Sequence, residues 1–263
     1  MTELPAVVLR APAGSRPFRL HRRPPVPALA DIVGHFWSVE WALPPGAHHD
    51  QDVVSHPCGH LTVEEDGAFV QGVPTSRFRR RLTGAGRVVS AHLRPSALSA
   101  LTDRPAAELT DRRTPLAELM PHAPGLEKVR AAESPEAGID ALEEWFTAVG
   151  PRRRPGAEVV DAAVDLIAAR TDLTRVDALA AELHVTVRTL QRRFDRHLGV
   201  GPKWVLRRCR IQDALGVIES GGDVDWAALA TDLGFADQSH FTNAFTALVG
   251  VPPGAYRSRP AGG

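Results

Sequence analysis

The sequence has few of the residues that define several protein classes. Its 263 residues include only two cysteines, Cys58 and Cys209, too few for a disulfide framework or a four-thiolate zinc site. The longest stretch without a charged side chain, residues 238–256, contains two adjacent prolines and cannot serve as a membrane-spanning helix. Residues 1–12 lack the basic and apolar segments of a signal peptide. We therefore expect a cytoplasmic protein with no membrane partner.

Net charge is absent as well, because 31 basic side chains balance 31 acidic ones. A protein that neutralises DNA phosphates usually presents a basic face, so this balance argues at first against nucleic acid. The charge is unevenly distributed, however. Residues 188–210 carry eight basic side chains and one acidic one, Asp195, which gives the segment a net charge of +7. This segment is the first indication of an anionic partner.

The first 95 residues are divided by prolines and glycines into short apolar runs, a pattern typical of strands joined by turns. In the run 35–41, Trp37, Val39 and Trp41 fall on one face at period two, and Ser38 and Glu40 fall on the other. After residue 95 the spacing becomes helical and ends in a predicted helix over 134–149. We predict a small β-sheet or barrel with short helices.

A linker is predicted at residues 150–156, which contain two prolines and three arginines. It divides the chain into a first domain over 1–150 and an all-α second domain over 151–263, an α+β fold in total. The next predicted helix, residues 157–170, has its apolar side chains at helical spacing, and the same spacing predicts that Asp161 and Asp165 face solvent.

An internal repeat organises the second domain. The residues 179–183 recur at 229–233, and after one inserted residue the match continues through Phe194 with Phe245 and Pro202 with Pro253. Each unit is a short helix, a tight turn and a second helix, with Thr186 and Asp237 as the predicted N-caps of the second helices. One long helix over 202–220 joins the two units.

Both second helices are predicted to expose a polar stripe. In the first, Arg188, Gln191 and Arg192 lie beside the apolar stripe, where an arginine can bridge guanine and a glutamine can bridge adenine in a major groove. In the second, the outward side chains form hydrogen bonds and are Gln238, Ser239, Thr242 and Asn243. Phosphate contacts are predicted for Thr186, Arg196, Lys203 and Arg207. The expected partner is double-stranded DNA, read at two groove segments about 34 Å apart.

These residues resemble the AraC/XylS type of bacterial transcription regulator, whose C-terminal module is two helix-turn-helix units joined by a long helix. The resemblance covers about residues 157–259 and is most specific at 186–194, 199–202, 233–245 and 250–257. It places base contacts on the stripe residues named above. The family often has a basic residue where Asn243 stands, which predicts weaker binding by the second helix. Two cysteines argue against the family branch that repairs methylated DNA through a zinc-bound thiolate.

The resemblance also implies that the first domain binds a small-molecule effector or forms a homodimer, and that an activator would contact RNA polymerase. If the first domain contains a pocket, its aromatic lining candidates are Trp37, Trp41, Phe69 and Phe78. Core packing is an equally good role for each of them. On the long helix, Arg210 is predicted to form a structural ion pair, and Cys209 to be a buried apolar residue.

Histidines are concentrated at residues 48–60, together with Asp50 and Cys58. His56, Cys58 and His60 would share one face of a strand at period two, and such ligands suit borderline metals. Pro57 and Gly59 interrupt that strand, however, so we predict no metal site and no cofactor. We also predict no enzyme, because a nucleophile elbow, phosphate loop and dinucleotide fingerprint are all missing. The alternatives are a metal-binding enzyme or metal sensor built on this segment, and a regulator that acts only through protein contacts.

Overall fold

Two antiparallel sheets form the N-terminal part of the chain in this computed structural model, which describes residues 7–8, 18–54 and 56–258. One sheet has three strands in the order β1-β4-β7, and the other has six in the order β2-β3-β8-β5-β6-β9. The strands are β1 (Val7–Val8), β2 (Phe18–Arg23), β3 (Val33–Ala42), β4 (His48–Val54), β5 (His60–Glu64), β6 (Gly67–Gln71), β7 (Phe78–Thr83), β8 (Ala85–Leu93) and β9 (Arg113–Pro115).

The helices follow the sheets along the chain, and the sequence-based prediction of an α+β fold is confirmed. Three 3₁₀ turns span Pro27–Leu29, Ala97–Ala100 and Ala106–Leu109. The α-helices are α1 (Leu116–Leu119), α2 (Glu127–Arg130), α3 (Pro135–Val149), α4 (Glu158–Ala169), α5 (Val176–Glu182), α6 (Val187–His197), α7 (Pro202–Glu219), α8 (Trp226–Asp232), α9 (Gln238–Val249) and α10 (Pro253–Arg257). None of these helices is long and apolar enough to cross a lipid bilayer.

Strand β3 shows how the larger sheet separates two environments. Phe36 points to the helical side, where its ring meets Phe146 of α3 edge-on with centroids 5.9 Å apart. Trp37, Val39 and Trp41 lie on the opposite face, as the period-two pattern predicts, and line a cavity. Ser38 is fully buried, and its hydroxyl is satisfied by donating to the carbonyl of Val88 at 3.1 Å.

The buried apolar side chains form two clusters that do not follow the predicted boundary at residue 150. The first cluster runs from the larger sheet through α3, α4 and α6 to Cys209 on α7. The second begins at Ile211 and contains α8, α9 and α10. The first helix-turn-helix unit therefore packs with the N-terminal domain, and the second unit has a core of its own. The division into 1–150 and 151–263 stays a prediction.

The predicted linker is held in place by its arginines. Arg153 donates to the carboxylate of Asp31 at 2.9 Å and lies 3.4 Å from Asp161. Arg154 donates to the backbone carbonyl of Ser99 at 3.0 Å and pairs with Asp103. These contacts fix the entry of α4 against the N-terminal domain.

The prediction that Asp161 faces solvent is wrong. Its side chain is 4% exposed and accepts hydrogen bonds from the backbone nitrogen and the hydroxyl of Ser96, at 3.1 and 2.8 Å. Burial raises the pKa of Asp161, and the Ser96 hydrogen bonds and nearby arginines oppose that shift. Asp165 is half-exposed and pairs with Arg94 at 3.0 Å. Helical periodicity could not anticipate a partner 65 residues away in sequence.

Arg210 lies at the junction of the two clusters and is the largest fully buried side chain. Its guanidinium donates to the carbonyls of Ile167 and Arg170 at the end of α4, at 2.8 and 2.9 Å, and pairs with Asp213. The predicted ion pair is therefore present, and the guanidinium also satisfies helix-terminal carbonyls. Cys209 is buried as expected, and burial raises the pKa of its thiol to about 12.

We expect Arg210→Ala to destabilise the protein by about 3–5 kcal/mol, because it leaves a carboxylate and two carbonyls without their partner in a buried site. The matched control is Arg207→Ala, which changes an exposed arginine on the same helix and should alter stability by less than about 0.5 kcal/mol. Urea-induced unfolding followed by circular dichroism measures both. Equal small losses would contradict the structural role of Arg210.

Candidate DNA-binding surface and cavity

Helix α6, the second helix of the first helix-turn-helix unit, is fixed at both ends by local sequence. The Thr186 hydroxyl caps it by accepting from the backbone nitrogen of Thr189 at 3.1 Å. After the helix, Gly199 has φ +95°, and a Cβ there would lie 2.6 Å from the carbonyl oxygen of Ala106. Only glycine fits this close approach. Thr110 also donates to the Gly199 carbonyl at 2.7 Å, so the turn after α6 is anchored on the N-terminal domain.

The predicted base-reading side chains of α6 are all exposed. Arg188, Gln191 and Arg192 lie in the solvent, while Leu190 and Phe194 on the opposite face are completely buried. The described surface around them is basic, since Lys203 and Arg207 on α7 are exposed and Arg196 is partly exposed. Thr186 is exposed too, but its hydroxyl is already engaged in the cap. This is the arrangement of polar and basic groups that a phosphate-flanked groove requires.

Helix α9, the second helix of the second unit, has the same N-cap and buried apolar face as α6, but its predicted base-reading side chains are uncharged. Asp237 caps it by accepting from the backbone nitrogen of His240 at 2.8 Å. Phe241 and Phe245 are completely buried, and the predicted base-reading residues divide into exposed Gln238, Ser239 and Asn243 and half-buried Thr242. The predicted side chains offer neutral hydrogen-bonding groups only, which carry no positive charge to attract phosphates from a distance.

Helix α7 sets the distance between the two units. It spans 18 residues, about 27 Å at 1.5 Å per residue. Buried side chains on several of its faces join the first cluster at one end and the second cluster at the other. At the C-terminal end of α7, the hydroxyl of Tyr256 donates to Glu219 at 2.7 Å and joins α10 to α7.

A cavity of about 200 Å³ lies between the two sheets of the N-terminal domain. Of the four predicted aromatic candidates, Trp37, Trp41 and Phe78 line it. Phe69 is not among the lining residues, because its ring is covered by the guanidinium of Arg113 at 3.2 Å. The walls are mainly apolar and come from both sheets, with Leu20, Val39, Leu82 and Val88 among them.

The charged residues of the cavity wall, Arg22, Glu64 and Arg80, were not predicted from sequence. Arg80 donates to both carboxylate oxygens of Glu64, at 2.8 and 2.7 Å, and this bidentate pair lies in the cavity wall. Arg22 also lines the cavity. The period-two alternation of Phe18, Leu20 and Arg22 could have placed them on one face, but three arginines and a histidine between 18 and 23 conceal the strand.

One end of the cavity gathers histidines. His35, His92 and His60 are successive cross-strand neighbours on β3, β8 and β5, and His56 lies beside them, its ring centroid 5.4 Å from that of His92. Burial lowers the pKa of His56 to about 3 and that of His60 to about 4, and it places the pKa of His92 well below its usual range. Neighbouring histidines lower them further. The imidazoles of His56, His60 and His92 are therefore neutral near pH 7.

Residues 56–60 do not form one continuous strand, as Pro57 and Gly59 indicate, since Cys58 lies in the loop before β5 and its backbone nitrogen donates to the carbonyl of His56. The other candidates of that segment lie apart, on β4, where Asp50 pairs with Arg81 at 2.7 Å and His49 lies 3.3 Å from Gln51. His48 is exposed on the same strand.

Two family models match the chain. Residues 179–259 match a helix-turn-helix domain, and residues 21–115 match a domain of unknown function. A protein of Streptomyces lividans described as an AraC-like transcription regulator is 35% identical over 82 residues, which are 31% of this chain and 27% of that protein. The chain therefore matches about a quarter of the length of that curated relative.

Solved structures give further likenesses. The C-terminal domain of the response regulator AraT from Geobacillus stearothermophilus is 26% identical over 38% of this chain and 83% of that chain, with a TM-score of 0.34. The DNA-binding domain of AdpA, solved with a target DNA, is 29% identical over 39% and 88%, with a TM-score of 0.32. ToxT of Vibrio cholerae is 13% identical over 89% and 98%, with a TM-score of 0.40.

The helix-turn-helix match, residues 179–259, covers the two units whose helices, caps and buried stripes are described above. Residues 179–259 therefore form a helix-turn-helix domain of the AraC type, similar to that of AraC-like transcription regulators.

Proposed function

We propose that this protein regulates transcription by binding specific double-stranded DNA with α6 and α9 in two adjacent segments of the major groove, and that a small molecule bound in the N-terminal cavity modulates it. The observation that carries the proposal is that α6 and α9 are both capped, both bury an aromatic face and expose a polar one, and are joined by the single helix α7. A helix of about 27 Å between the units suits groove segments about 34 Å apart.

The two helices divide the work unequally in this proposal. Helix α6 has arginines at positions 188 and 192 and lies beside exposed Lys203 and Arg207, so it supplies most of the attraction to DNA. Helix α9 offers neutral groups and refines sequence preference. Homodimerisation and contact with RNA polymerase belong to the same proposal, as what the family implies for a regulator of this type.

Arg208 on α7 supports the proposal that a ligand in the cavity affects the DNA-binding domain. Its side chain is 3% exposed, and it interacts electrostatically with Cys58 and with His56 at the histidine end of the cavity. Burial lowers the pKa of Arg208 to about 10, and the thiols of Cys209 and Cys58 oppose that shift. A ligand that changes charge or volume at this end therefore acts directly on α7.

Selection of bound sequences from random duplexes tests the two-segment reading. Full-length protein at about 0.15 M salt should enrich two blocks about one helical turn apart. The double variant Arg188→Ala with Gln191→Ala should lose one block, and Gln238→Ala with Asn243→Ala should lose the other. If both doubles preserve both blocks, the assignment of reading helices is wrong, and if the unaltered protein enriches nothing, the DNA-binding proposal fails.

Single substitutions separate base reading from phosphate contact. Arg192→Ala should cost about 1–3 kcal/mol on the selected site and relax preference at one base pair. Lys203→Ala should weaken specific and scrambled DNA alike and reduce the salt slope by about 1. Fluorescence anisotropy at several salt concentrations measures both. Equal losses on specific and scrambled DNA for Arg192→Ala would exclude its base-reading role.

An apolar anionic dye, 8-anilinonaphthalene-1-sulfonate, tests the cavity. We expect one dye per chain, and Val39→Trp should lower its affinity about tenfold, or about 1.4 kcal/mol, because the indole occupies the space between the sheets. The control Val217→Trp changes a valine on α7 that is 44% exposed and should leave affinity unchanged. The effector site lies elsewhere if Val39→Trp binds the dye as the unaltered protein does.

A further inference from the structure

A thiol and two imidazoles converge at the histidine end of the cavity. Cys58 comes from the loop before β5, His60 is the first residue of β5, and His92 is its cross-strand partner on β8. Their candidate ligand atoms all lie within 4.8 Å of one another. The pairing of β5 with β8 and a short loop therefore hold these atoms together without any long side chain.

The distances suit a tetrahedral metal ion. The Sγ of Cys58 is 3.0 Å from Nε2 of His92 and 3.7 Å from Nε2 of His60. Zinc bonds of about 2.3 Å to sulfur and about 2.0–2.1 Å to nitrogen, at tetrahedral angles, place sulfur and nitrogen about 3.6 Å apart. The separation to His60 agrees with this value, and the separation to His92 is shorter by about 0.6 Å.

The chemistry of the three groups agrees with this geometry. Cysteine and neutral imidazole are the ligands that zinc and related borderline ions prefer. Cys58 is 1% exposed, and its Sγ lies 3.0 and 3.7 Å from the Nε2 atoms of His92 and His60. Gathering such polar groups beside apolar walls costs free energy unless a ligand engages them.

We propose that Cys58, His60 and His92 bind one divalent transition-metal ion, with Zn²⁺ the best match, through the cysteine sulfur and the two Nε2 atoms. As the metal–sulfur bond forms, the thiol proton is released to solvent. Three protein ligands leave a fourth position, the pattern of a site that accepts water or an exogenous donor. His60 and His92 line the cavity, so this position takes a donor atom of the molecule bound there. The proposal reverses the expectation from sequence that the chain has no metal site.

The simpler interpretation is a hydrogen bond from the Cys58 thiol to His92 in a polar corner of the core, which predicts no stoichiometric metal. Titration of metal-free, full-length protein with Co²⁺ in the absence of DNA separates the two. Thiolate-ligated Co²⁺ gives a sulfur-to-metal charge-transfer band in the near ultraviolet, and tetrahedral Co²⁺ gives intense visible bands. We expect both bands, saturating at one ion per chain, and their disappearance when Zn²⁺ is added.

Cys58→Ala should abolish the charge-transfer band, and Cys209→Ala, which removes the other buried cysteine, should preserve it. If Cys58→Ala does not fold by circular dichroism, His92→Gln is the second variant. It keeps the thiol and should lower Co²⁺ affinity by more than about 10-fold, because even an outer-shell change costs about 10–100-fold.

Zn²⁺ should also raise the melting temperature of the unaltered protein and of Cys209→Ala, but not that of Cys58→Ala. The proposal is overturned if the unaltered protein binds no stoichiometric Co²⁺, or if the bands survive Cys58→Ala and the affinity survives His92→Gln. It is also overturned if Cys209→Ala alone removes the charge-transfer band. Because these measurements contain no DNA, their failure is distinct from failure of the DNA-binding function.

Discussion

The buried guanidinium of Arg210 is the contact on which the arrangement of the two helix-turn-helix units depends. It donates hydrogen bonds to two backbone carbonyls at the C-terminal end of α4 and pairs with Asp213 one turn along α7. It also marks the point where one apolar cluster ends and the next begins. A hydrophobic side chain there could fill space but could not bond the open carbonyls of a helix end. The orientation of α7 relative to α4, and with it the placement of α6 and α9, depends on this buried polar contact.

The sequence was most informative where structure is local. Apolar spacing and side-chain caps at Thr186 and Asp237 define α6 and α9 within a few residues of each end, and both caps are present. The repeat strengthened that prediction because two independent copies share the same pattern. The exposed stripes on both helices followed from the same periodicity.

The prediction failed where distant segments meet. Strands β2 and β4 were missed because their charged and histidine-rich sequences lack apolar alternation, and β4 pairs three of these residues with arginines of β7. His92 lies 34 residues from Cys58, so only the pairing of β5 with β8 brings them together. Asp161 was misplaced for the same reason, since its partner Ser96 belongs to another element. Local periodicity carries no information about such contacts.

The separate core of the second unit has an evolutionary consequence. In the described residues, the buried apolar cluster around α9 includes no side chain from the sheets, whereas α6 shares its cluster with them. Substitutions on the exposed face of α9 therefore leave the apolar cluster around the cavity undisturbed. Mutations near α6 meet the constraints of Gly199 and of the apolar cluster shared with the sheets. Within one chain, substitution in the first unit is therefore restricted by its packing on the sheets, and the second unit can diverge without that restriction.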